Sequence, residues 1–112
     1  MNSSVVSATL LPTVTSPSAT ANTGIGGRID LAWTNNGTIT QVVVKRATNS
    51  GMSAGLATIL TDTSAAFATT FADTGQTGQK YYQIHITNAT GTTLSSVVNA
   101  TATSAIARTI EQ

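Results

Sequence analysis

The chain has 112 residues, 8% of them charged, a formal net charge of +1 and no cysteine. This length predicts one domain that can bury a core unaided, and the missing cysteines exclude disulfides and thiolate metal sites. Only Lys45 and Arg46 are adjacent cations, which is too little positive charge for a nucleic-acid footprint, and 40% apolar content at low net charge describes a globular chain.

Residues 1–11 form an N-terminal extension. The segment MNSSVVSATLLPTV lacks both a basic start and an unbroken apolar run of signal-peptide length. No segment approaches the roughly 20 apolar residues that span a bilayer, so no membrane insertion is expected. Synthesis in a cytoplasm follows as an expectation. From there Thr, Val and Ile dominate, and apolar residues recur at period two, the pattern of half-buried strands.

Seven strands are predicted in chain order. The first covers 13–21 and carries Pro17, which confines it to a sheet edge. The second covers 28–34, with Ile29, Leu31 and Trp33 on one face. The third, 40–47, points Val42 and Val44 inward, and a short fourth covers 57–60. The fifth, 66–72, places Phe67, Thr69 and Phe71 in phase. The sixth, 80–88, does the same for Tyr82, Ile84 and Ile86, and the seventh covers 93–101. Between them lie Asn/Gly clusters such as Asn35-Asn-Gly37, Asn49-Ser-Gly51 and Asn88-Ala-Thr-Gly91, whose residues tolerate the positive φ of tight turns.

Regular short strands with this punctuation predict an all-β, antiparallel, seven-stranded β-sandwich. The expected core is Ile29, Leu31, Trp33, Val42, Val44, Phe71, Tyr82, Ile84 and Ile86. Trp33, the only tryptophan, follows Ile29 and Leu31 at period two. Its ring is expected between the sheets, organising a core of small β-branched residues.

The ordered series IDLAWTNN, ITQVVVKRATNSG, TTFADTGQTGQKYYQIHITNATG and LSSVVNATA resembles a fibronectin type III domain. The resemblance covers residues 12–102 and leaves 103–112 as a C-terminal tail. Trp33 closing the second strand, then Val42 and Val44, then Tyr82, Ile84, Ile86, Asn88 and Gly91, match the family's order. The chain departs from the family in the loop before the sixth strand, where Gln76 and Gly78 stand in place of the usual Leu and Pro. Lys80 falls where the family's corner tyrosine would be counted, leaving that hydrogen bond to Tyr81 or Tyr82 in a shifted register. No Arg-Gly-Asp tripeptide occurs, so the resemblance implies no integrin-binding loop.

The chemistry-bearing residues are sparse. His85 is the only histidine and lies out of phase with Ile84 and Ile86, as a solvated sheet residue would. No nucleophile–base arrangement is visible. Asp30, Asp62, Asp73 and Glu111 are dispersed, with no metal-ligand spacing. Asp73 is expected to accept hydrogen bonds from nearby backbone amides. No helix follows Gly24-Ile-Gly-Gly27, so it is not a phosphate cradle. No catalytic residue, cofactor or metal is expected.

The ends contrast with this body. Val5, Val6, Leu10 and Leu11 at the start, and Ile106 and Ile110 in the tail, are candidates for docking onto a protein partner. The competing expectation is that these residues simply extend the terminal strands. The expected function is a non-catalytic structural or binding module, foremost a virion component such as a phage capsid decoration or tail protein, made in the host cytoplasm. Its partner would be a larger protein assembly, with self-association and cell-surface carbohydrate left open. The alternative is an accessory spacer or carbohydrate-associated module within a secreted bacterial polysaccharide-degrading enzyme.

Overall fold

The computed structural model describes residues 10–64 and 66–103. Eight strands follow in order: β1 (Thr13–Ala21), β2 (Ile29–Asn36), β3 (Gln41–Ala47), β4 (Ala57–Asp62), β5 (Thr70–Asp73), β6 (Gly78–Asn88), β7 (Gly91–Leu94) and β8 (Val98–Ala102). One sheet has the order β1-β2-β5. The other runs β4-β3-β6-β7, with β8 also paired to β6. All pairings are antiparallel.

Three departures from the expected strands have identifiable causes. The stretch expected as a single seventh strand over 93–101 is two strands, β7 and β8, which raises the count from seven to eight. Ser95 divides them. Its buried hydroxyl accepts the Ile84 N–H at 2.9 Å and donates to Ser96 O, while its own N–H donates to Ile84 O. A side chain thus replaces a backbone partner in the ladder, and regular pairing with β6 resumes only at Val98, opposite Tyr82.

The fifth strand begins at Thr70 rather than 66. Ahead of it, Ala68 N–H donates to Asp62 Oδ2 at 2.8 Å and Ala68 O accepts from Asn35 Nδ2 at 3.1 Å. Side chains satisfy that backbone, so it does not join the ladder. In β1, Pro17 lies on a sheet edge as its missing N–H requires. The register jumps from Thr15↔Thr34 to Ser18↔Ala32 across a bulge where Ser16 has φ 53°.

Ile29, Leu31, Trp33, Val42, Val44, Tyr82, Ile84, Ile86 and Ala102 are buried together between the sheets. Each well-buried large side chain contributes about 1.5–3 kcal/mol. Phe71 is only part-buried, packed against this cluster from the edge strand β5. Trp33 Nε1 is buried without a hydrogen-bond partner, so the indole is retained for its packing rather than its polar handle.

Candidate functional site

The buried inward-facing stretch of strand β6 has a buried polar residue held at each end of it. Its inward phase is Tyr82, Ile84, Ile86 and Asn88, all buried. At the Tyr82 end the hub is Asp73, which terminates β5 and is 5% exposed. Arg46 Nη1 lies 3.0 and 3.1 Å from its two carboxylate oxygens. The Tyr82 hydroxyl donates to Oδ2 at 2.7 Å, and Gln76 Nε2 donates to Oδ1 at 3.2 Å. Burial first, and then the adjacent carboxylate, push the Tyr82 phenol well above its ordinary range.

One expectation is corrected here, and one open alternative is decided. Asp73 takes side-chain donors rather than backbone amides; it is Asp62 that accepts from amides, those of Ser64 and Ala68. Lys80, at the counted corner position, donates its Nζ to Thr77 O at 2.6 Å. Of the two alternatives it is Tyr82 that makes a tie, to the Asp73 carboxylate at the end of β5. The cluster joins β3, β5 and β6 across the two sheets, and its charges are consumed in that task.

At the opposite end, Asn88 Nδ2 donates to Leu10 O at 2.8 Å and to Thr38 O at 2.9 Å. Asn88 Oδ1 accepts the Thr90 N–H at 2.8 Å and the Gly91 N–H at 3.3 Å. One amide therefore fastens the β6–β7 turn, the β2–β3 loop and the entering chain. Gly91 leaves room for this approach: a Cβ there would lie 3.1 Å from Leu11 Cδ2, and the leucine tip would have to shift by a few tenths of an ångström. Pro12 is fully buried, whereas Leu10 is 81% exposed and Leu11 50% exposed. Two leucine side chains thus face solvent from a pinned backbone. Of the other docking candidates, Val5, Val6, Ile106 and Ile110 lie outside the described residues.

Sequence reasoning singled out Leu10 and Leu11 but missed what holds them. The signal was present: Asn88, Arg46 and Asp73 all fall in the inward phase of their strands. A polar residue in that phase must bring its partner with it.

His85 is half-buried rather than solvated, and its Nε2 lies 3.2 Å from Gln83 Oε1. Burial, then the charge of Lys45, lower its pKa, which favours neutral imidazole at neutral pH. Among the described residues no three of His, Cys, Asp and Glu are grouped so as to hold a metal ion. No helix there is long and apolar enough to cross a membrane.

Known structures agree on the architecture. A crystal structure named FN3tt superposes with a TM-score of 0.68 at 9% identity, over 84% of this chain and 97% of that one. A fibronectin-type-III-like protein from Clostridium thermocellum superposes with a TM-score of 0.59 at 28% identity, over 83% of this chain and 92% of that one. A β-1,2-glucanase from Parabacteroides distasonis contains a similar region, with a TM-score of 0.59 at 19% identity over 84% of this chain. This chain spans 14% of the glucanase's length. No family model and no curated protein sequence matches. The fold class is a fibronectin type III-like β-sandwich.

Proposed function

We propose that the chain is a non-catalytic module held on a larger protein assembly by its N-terminal end, and that this assembly is a virion, with the chain as a capsid decoration or tail component. The observation that carries the docking reading is the Leu10–Leu11 pair, exposed on a backbone fixed by Asn88 and Pro12. Ordering a free segment costs about 1–2 kcal/mol per residue, and much of that cost is already met here by folding. Burial of two leucines returns roughly 1.5–3 kcal/mol each, enough for weak attachment that repeated copies would strengthen. Few charges are available at this end, so attachment should persist at raised salt.

The test is co-sedimentation of the chain with the particle encoded beside its gene, comparing the natural chain with the Leu10→Asp, Leu11→Asp double variant. Loss of attachment with unchanged melting supports the reading, and full retention sinks it. A parallel deletion of residues 104–112 asks whether Ile106 and Ile110 share the task. A second reading, a spacer within a secreted polysaccharide-degrading enzyme, draws on the similar region inside the glucanase. A reading frame that continues from this chain into a hydrolase would select it over the virion.

A further inference from the structure

The outward face of the β1-β2-β5 sheet carries a groove of about 350 Å³, a volume within the range of about 300–1,000 Å³ typical of small-ligand sites. Its floor follows from the register. Because Ile29, Leu31 and Trp33 point inward, Asp30 and Ala32 point outward. Ser18, Ala32 and Thr70 form one row across the three strands, and Thr20, Asp30 and Ala72 form the next. Strands lie about 4.8 Å apart, and successive outward residues along a strand about 7 Å apart. Two methyl groups, Ala32 and Ala72, therefore lie on a diagonal of the floor. Ser18 and Thr70 occupy strand positions about 10 Å apart on either side of Ala32.

Arg28 lines the same groove next to Asp30. Arg28 Nε donates to Asp30 Oδ1 at 2.6 Å, and Asn22 Nδ2 donates to Asp30 Oδ2 at 3.1 Å. The Arg28 hydrogen bond and then that from Asn22 hold Asp30 below the usual carboxylate range, so it stays ionised at neutral pH and cancels the guanidinium. Both side chains keep about a third of their surface exposed, at 34% and 38%. The guanidinium retains N–H groups beyond the one used, and a carboxylate has more lone pairs than two bonds consume.

We infer that this groove is a binding site for a neutral saccharide unit. A pyranose ring presents an apolar C–H face and a rim of hydroxyls that both donate and accept. The groove offers a small methyl floor, hydroxyls at its flanks, and a charge-cancelled Arg28–Asp30 pair that supplies donors and acceptors side by side. An anion would gain little from a guanidinium already neutralised. A large apolar side chain would find no deep apolar wall. The binding is weak, because no wall encloses the groove and the two large apolar residues that also line it, Leu31 and Phe71, are packed toward the core.

This inference does not depend on the docking reading. The groove lies on a sheet face, whereas Leu10 and Leu11 lie at the Asn88 end, so each can fail alone. The experiment is a two-dimensional ¹H–¹⁵N NMR titration of the folded chain with neutral tetrasaccharides of glucose, galactose, mannose and N-acetylglucosamine, with inorganic phosphate as a separate probe. The expected result is a saturable shift with at least one saccharide, centred on Ser18, Thr20, Ala32, Thr70 and Ala72. Ala32→Leu fills the floor from a solvent-facing position, and Asp30→Asn removes the acceptor charge. Each should weaken binding by about tenfold or more while leaving the rest of the spectrum in place. If Ala32→Leu disturbs the fold, Asp30→Asn decides alone. No saturable shift with any of the saccharides, shifts centred elsewhere, or a response to phosphate alone would each overturn the inference.

Discussion

The two ends of the buried stretch of β6, Tyr82 and Asn88, solve the same problem with different chemistry. At one, Asp73 gathers a guanidinium, a phenol and an amide around a carboxylate that is almost fully buried. At the other, Asn88 reaches backbone groups with an uncharged amide. A buried charge is costly to leave unpaired, so the Asp73 cluster is an all-or-nothing clamp across the two sheets. An amide bonded to loop backbone is more forgiving, because water can replace part of what it supplies. The clamp thus secures the sandwich, while Asn88 fixes the backbone of a segment whose leucine side chains stay exposed.

The sharpest way to break this contrast is Asp73→Ala. Removing the carboxylate strands Arg46 and leaves the Tyr82 hydroxyl without its acceptor, and the expected loss is about 3–5 kcal/mol. Denaturant unfolding followed by Trp33 fluorescence measures it, and a loss below that of the next variant would reverse the ranking of the two ends. Asn88→Ala should cost less, about 1–3 kcal/mol, the cost of stranding buried backbone acceptors. Amide hydrogen exchange should show its effect concentrated near 10–12, 38 and 88–91. Uniform loss of protection would show that Asn88 is as central to the fold as Asp73.

Alkaline pH separates the ends further. The Tyr82 phenol is raised in the folded protein, whereas in the unfolded chain it ionises near its ordinary value of about 10. Its contribution is therefore fully present below about pH 10. It declines as pH rises above that, because the unfolded state then binds fewer protons. Melting temperature should fall in that window for the natural chain and stay flatter for Tyr82→Phe. Parallel curves for the two would remove Tyr82 as the source.

The smallest effect is at acid pH. Hydrogen bonds from Arg28 to Asp30, and from Ser64 to Asp62, lower both carboxyls. The stability they add is present above their ordinary pKa of about 3.9 and is lost as pH falls through the lower folded values. Both are well exposed, so salt should shrink the transition. An acid-induced drop that Asp30→Asn and Asp62→Asn leave unchanged would assign it elsewhere.

Period-two alternation determined much of this protein by itself. It put Ile29, Leu31 and Trp33 on one face of their strand, and did the same for Val42 with Val44 and for Tyr82 with Ile84 and Ile86. A strand's side chains must alternate between the two faces of its sheet, so the face each residue takes is a local property. Pro17 at an edge and the glycine turns were legible for the same reason, since they depend on one residue's φ or its missing N–H. What only the tertiary structure decided is where side chains replace backbone. Ser95 splitting β7 from β8, Asp62 and Asn35 holding Ala68 out of β5, Asp73 uniting Arg46 with Tyr82, and Asn88 fastening Leu10 all join residues of different elements or loops, from 6 to 78 positions apart. The groove over Ala32 and Ala72 likewise exists only once β1, β2 and β5 lie in register. Pairing of side chains between elements depends on how the whole sandwich closes, and no local periodicity encodes it.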